Sequence, residues 1–149
     1  MNKFTTLLMI LLVSGCVSYP KPIPSQLIGD CKRILVNHHI WETNLDDIGF
    51  YKGKYIISTE IYRANRVKII GTIQHGTRVE IYQVLEAANG SNGRFLRVRV
   101  KILDGDFSGK IADVPLKSAP YHPGKSWIMN YTREPNALEF DNTIVKSCD

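Results

Sequence analysis

From Cys31 onward, period-2 alternation of apolar residues dominates, and no 3.6-residue period persists over a long window. Successive side chains of a strand point to opposite faces, so this alternation predicts an all-β domain before any motif is considered. Ile34, Val36, His38 and Ile40 share one face of a first strand, and Tyr55, Ile57, Thr59 and Ile61 mark a second. Val67, Ile69, Gly71 and Ile73 mark a third, which runs into the turn Gln74-His75-Gly76-Thr77. Val79, Ile81 and Leu85 line a fourth, followed by a loop from Glu86 to Gly93 that holds the turn dipeptides Asn89-Gly90 and Asn92-Gly93. Leu96, Val98, Val100 and Ile102 line a fifth strand, Asp104 to Gly109 turns, and Ile111 and Val114 form a sixth that ends at Pro115. Residues 117–136 carry four prolines or glycines and read as a long irregular connection. A last hairpin, Ala137 to Phe140 and Thr143 to Cys148, turns at Asp141-Asn142. Short strands at regular spacing predict a small barrel or sandwich.

The run from Val67 to Ile81 (VKIIGTIQHGTRVEI) resembles the core of bacterial Src-homology-3-like (SH3-like) domains, with an aliphatic pair, a glycine, an aliphatic, a turn ending in glycine and alternating valines. Phe95-Leu96-Arg97-Val98 and Gly109-Lys110-Ile111 stand for that family's later elements, so the likeness covers residues 56–116. It implies a small SH3-like barrel with extra N- and C-terminal strands. Arg63-Ala64-Asn65-Arg66 stands where the family carries an asparagine- and proline-rich loop, and Lys110 where it carries tryptophan. The implied fold therefore carries over without the family's binding loops.

Ahead of the domain, Lys3 supplies a positive charge and Phe4 to Val13 form a stretch free of charge and proline. Ten helical residues rise only about 15 Å, half of a ~30 Å hydrocarbon core, which is the length of a leader h-region and too short for a membrane span. Val13-Ser14-Gly15-Cys16 follows and resembles the lipobox of bacterial lipoprotein precursors. The resemblance implies removal of residues 1–15 as a signal peptide, diacylglyceration of the Cys16 thiol and acylation of its new amine. Two or three chains, at about 0.8 kcal/mol per buried CH₂, make a durable anchor in the bilayer. Val17, in place of the aspartate that favours inner-membrane retention, implies the outer membrane facing the periplasm, or the outer cell surface if the cell has one membrane.

Assigning Cys16 to lipid leaves Cys31 and Cys148 as an even pair in an oxidising compartment, where disulfides persist. A bridge between them would close most of the domain into one loop, worth about 4–5 kcal/mol in the chain-entropy model. The stretch Val17 to Gln26 alternates Pro20, Pro22 and Pro24, which predicts a polyproline II stalk over residues 16–30 and the folded domain over residues 31–149.

The whole chain has 149 residues, 44% hydrophobic and 22% charged, with a formal charge of +5, which fits one globular domain and excludes a disordered tail or a multi-span membrane protein. Arg97, Arg99 and Lys101 alternate with the apolar face of the fifth strand. They form a candidate anion contact for lipid phosphates or peptidoglycan carboxylates, or a solvated face with Glu80 as cross-strand partner. Nucleic acid is not the expected partner of an exported, lipid-anchored chain with so modest a charge.

Asp104-Gly105-Asp106-Phe107-Ser108-Gly109 has the spacing of half a calcium loop, but Pro115 stands where the bidentate glutamate belongs, so a polar turn is expected. His38 and His39 point to opposite faces of one strand, and His75 and His122 lie far off, which gives no metal-ligand spacing and makes His38 a core residue. Trp41, Trp127 and Tyr131 are equally suited to a ligand groove and to the core. No nucleophilic triad, paired-carboxylate frame or phosphate loop emerges, so no cofactor or enzymatic activity is expected. The expectation is a non-enzymatic binding or assembly module for an envelope protein or peptidoglycan. Its rival is an inhibitor or immunity lipoprotein whose plug would be the segment 117–136.

Overall fold

A computed structural model of the chain describes residues 20–43, 54–60, 67–89, 93–115, 124–130 and 132–148. Among them lie nine strands and one 3₁₀ turn: β1 Lys21–Ile23, β2 Cys31–Ile34, β3 His38–Thr43, β4 Tyr55–Ser58, β5 Val67–Ile73, β6 Arg78–Asn89, β7 Gly93–Ile102, β8 Ile111–Asp113, the 3₁₀ turn Pro135–Ala137, and β9 Val145–Ser147. The strands form one sheet in the order β5-β3-β4-β8-β7-β6-β2-β9, with β1 also paired to β6. All pairings are antiparallel except β4 with β8.

The sheet must curl. β2 and β3 sit five places apart in it, which in a flat sheet is about 24 Å at ~4.8 Å per strand. Four backbone steps from Ile34 to His38 reach only about 14 Å. The turn from Ile73 to Arg78 makes an equally long jump from β5 to β6. Both connections are short enough only if the ends of the sheet approach each other, and the core records that approach. Ile73 of β5, Ile57 of β4, Val100 of β7 and Val145 of β9 belong to one buried apolar cluster. The pairing path itself stays open between β5 and β9.

Two bulges set which residues face inward. Between β3 and β5 the register shifts at Ile40/Trp41, so Ile70 is the extra residue; Ile70 packs toward the core and Ile69 is turned outward. The expected common face of Val67, Ile69, Gly71 and Ile73 is therefore broken, because a one-residue slip reverses every side chain beyond it. In β6 the shift lies between Ile81 and Gln83, leaving Tyr82 as the extra residue. Val84 then continues the inner face of Val79 and Ile81, while Leu85 is buried apart from the main core.

The same bulge separates two short strands on one edge of β6. β2 pairs with Arg78 to Glu80, and β1 pairs with Val84 to Glu86. Between them, the Gly29 amide donates to the Ile81 carbonyl and the Ile81 amide donates to the Asp30 carbonyl. The stalk expectation is corrected here: residues 20–30 lie against the domain, with Pro22 opposite Leu85. Proline is tolerated in this position because β1 is an edge strand whose missing amide faces away from the ladder. Ser25 and Gln26 are tied to Asn136 as well.

Other expectations shift in smaller ways. The first strand is two strands, interrupted at residues 35–37 and sent to different regions of the sheet. The hairpin arms β6 and β7 extend to Asn89 and from Gly93, so residues 86–89 belong to a strand and not to a loop. The last hairpin does not form. Residues 137–140 contribute an isolated bridge from Phe140 to Ile128, and β9 pairs with β2. Cys31 of β2 and Cys148, the residue after β9, form a disulfide with Cα atoms 5.4 Å apart and a sequence separation of 117.

Candidate functional site

The three cations expected to form an anion-binding row do not share one environment. The outer face of the sheet carries a cross-strand row of Trp41, Ile56, Asp113 and Arg99, in register from β3 to β7. Its apolar half is a second small cluster of Trp41 and Ile56, with Val67 packed against it. Its other half is ionic: Arg97 donates from Nη2 to Asp113 Oδ2 at 2.6 Å, and Arg99 donates from Nε to Asp113 Oδ1 at 2.8 Å. The side chains of Arg97 and Asp113 are 3% and 1% exposed. This corrects the expectation of a solvent-facing row, for Arg97 and Arg99 serve a buried carboxylate from β8, and only Lys101 is exposed. Glu80 lies opposite Lys101 and not beside either arginine.

The histidine and tryptophans also resolve into core. His38 is fully buried; its Nδ1 donates to the Val36 carbonyl at 2.7 Å, and its Nε2 accepts from Trp127 Nε1 at 2.8 Å. That pattern requires the neutral ring. Burial pushes the His38 pKa down to about 4, with the Val36 carbonyl pulling the other way and His39 adding a smaller depression. Trp127 is wholly buried, and Trp41 is buried with its indole N–H donated to Ser58 Oγ. Neither lines a groove. Tyr131, His122, the Arg63–Arg66 stretch and Cys16 with its lipobox lie outside the described residues.

The described part of the segment 117–136, residues 124–130 and 132–136, is tied into the domain. Trp127 and Ile128 are core residues, and the Trp127 amide donates to the Pro115 carbonyl. Gly124 adopts φ +93°, and a side chain there would collide with Thr59. Deleting the segment would remove part of the core, so it cannot test inhibition while sparing the fold.

Among the described residues, a cleft of about 280 Å³ opens where the end of β5 approaches the β7–β8 turn. Thr72, Ile73, Gln74 and Thr77 line one side, and Ile102 with Asp104 to Phe107 line the other. Each wall is held by a specific contact. A Cβ on Gly71 would overlap the Phe107 ring, so glycine at this bulged position lets the ring lie directly on the backbone of β5. Both Asp104 oxygens accept from the Arg78 guanidinium, at 2.8 and 2.9 Å, and Oδ2 also accepts from the Arg78 amide. Those bonds hold the Asp104 carboxyl down at about 2. Asn37 Oδ1 accepts from the His75 amide and fixes the β5–β6 turn. The 104–109 loop is a polar turn, closed by the Ser108 amide donating to the Gly105 carbonyl and the Gly109 amide to the Ile102 carbonyl.

Sequence reasoning found Asp104 and Asp106 as a turn but did not find the cleft, because Phe107 and Gly71 lie in different elements and nothing in either segment announces their contact. Among the described residues no group of three or more histidine, cysteine or acidic side chains is placed to hold a metal, and no helix is long and apolar enough to cross a membrane. Comparison with protein-family models, curated protein sequences and solved structures returned no match.

Proposed function

We propose that this chain is a bacterial envelope lipoprotein, anchored in the outer membrane through acylated Cys16 and facing the periplasm, whose SH3-like β-domain is a non-enzymatic binding or assembly module. The observation that carries this reading is the bridge between Cys31 and Cys148. It is the pairing expected of an oxidising compartment, and it leaves Cys16, at the end of a lipobox-like leader, as the remaining cysteine. The curled sheet is the support for the SH3-like comparison, since two very short connections draw distant strands around one core. The cleft beside Phe107 is the surface such a module would present.

Growth with a clickable palmitate analogue tests the anchor. The reading expects label on the wild-type chain and recovery in the outer-membrane fraction, with both lost in Cys16→Ala. An unlabelled wild-type chain, or a Cys16→Ala chain that keeps its label, refutes it.

A further inference from the structure

The lining of the cleft selects a class of ligand. Beneath the cleft the core residues Ile73 and Ile102 are sealed at 2% and 0% exposure, so the apolar surface it offers is the half-buried Phe107 ring, which forms a wall. Its rim offers the hydroxyls of Thr72 and Thr77, the amide of Gln74 and the carboxylates of Asp104 and Asp106. No lysine or arginine occurs among the described residues that line it, and the adjacent Arg78 guanidinium already bonds both oxygens of Asp104. A phosphate or carboxylate entering here would meet the acceptor oxygens of Asp104 and Asp106 while the neighbouring Arg78 is already committed to Asp104, so anions are disfavoured. A molecule with an apolar C–H face and hydroxyls around its edge satisfies both the Phe107 wall and the rim. The volume lies just under the roughly 300–1,000 Å³ of drug-sized ligand pockets, which is room for one ring.

We infer that this cleft is a saccharide subsite that holds one uncharged pyranose ring, with its C–H face on Phe107 and its hydroxyls bonded by Gln74, Thr77 and Asp106. Asp106, on an exposed turn, accepts from ring hydroxyls, while Gln74 donates and accepts. The walls are set in advance by the Phe107–Gly71 contact, the Arg78–Asp104 pair and the Asn37–His75 bond, so a ligand orders little on entry. The open, hydrated rim points to affinities on the order of millimolar for a single sugar, as expected of one subsite for a longer glycan. This assignment rests on reading the domain as a binding module and does not require the lipid.

The test is saturation-transfer NMR on the full chain in phosphocholine micelles, which carry no sugar. The probes are methyl glycosides of glucose, galactose, mannose and N-acetylglucosamine, with cyclohexylamine and glucose 6-phosphate as cationic and anionic comparators. Transfer to the ring protons of at least one neutral glycoside is expected, with signal at least fivefold weaker for both comparators and for the variants Asp106→Ala and Thr77→Val. Near-UV circular dichroism of both variants should match the wild type, since neither residue belongs to the core. No transfer to any glycoside, stronger transfer to the amine or the phosphate, or undiminished signal in the variants overturns the assignment. The Cys16 acyl state of the same sample separates the two readings. An acylated chain that ignores every sugar sinks the subsite alone, and an unacylated chain that binds sugar sinks the anchor alone.

Discussion

Two buried polar clusters among the described residues are built on opposite principles. His38 and Trp127 form a neutral pair inside the aliphatic core, one acceptor matched to one donor. Asp113, Arg97 and Arg99 form an ionic cluster on the outer face, one carboxylate shared by two guanidiniums. The neutral pair is inexpensive to bury while its proton count stays fixed, and a single added proton converts its acceptor into a second donor. In the ionic cluster the desolvation of the charges is offset only while every partner is present. The first cluster is therefore vulnerable to acid and the second to truncation.

The largest effect should come from Asp113→Ala, which withdraws the carboxylate that both arginines bond. A loss of about 3–5 kcal/mol in urea unfolding is expected, and a loss near zero would show that the cluster contributes nothing. Acid should act next, through His38. Its folded pKa of about 4 lies below the ordinary 6.5, so its contribution is fully present above pH 6.5 and drains away as pH falls toward 4. That shift corresponds to about 3 kcal/mol, readable as a falling melting temperature across this window. The slope should persist in Asp113→Asn and flatten in His38→Gln; the reverse pattern would invert the comparison.

Trp127→Phe keeps the ring but removes the indole N–H, leaving His38 Nε2 buried without its donor. A loss of about 1–3 kcal/mol in urea unfolding is expected, and a variant as stable as the wild type would show that the bond contributes nothing. The smallest effect belongs to Lys54→Ala. Lys54 Nζ sits 3.5 Å from Glu42 on the exposed surface, where water screens the pair, and the urea midpoint should not move measurably.

The comparison also explains what the sequence could disclose. Alternation placed Val98, Val100 and Ile102 on an inner face, and there they lie. It placed Arg97 and Arg99 outside, which is correct for the face but not for the environment, because alternation says nothing about a second cluster on that face. Asp113 became their partner through β8, a three-residue strand that also lies parallel to β4. Such a pairing of distant segments leaves no periodic trace. The bulges at Ile70 and Tyr82 were hidden because a single extra residue preserves composition while reversing every face beyond it. The proline run was misread because the rule against proline in sheets weakens at an edge. The Cys31–Cys148 bridge was legible from the parity left once Cys16 is set aside, and the cleft was not, since it depends on a ring from one turn lying on a glycine in another strand.

Intact-mass measurement of the protein purified from native membranes reaches the central claim most directly. A chain that starts at Cys16, carries diacylglycerol and an amide-linked acyl group, and is two protons lighter for the Cys31–Cys148 bridge is the predicted result. A chain that retains Met1 with an unmodified Cys16 would contradict the account.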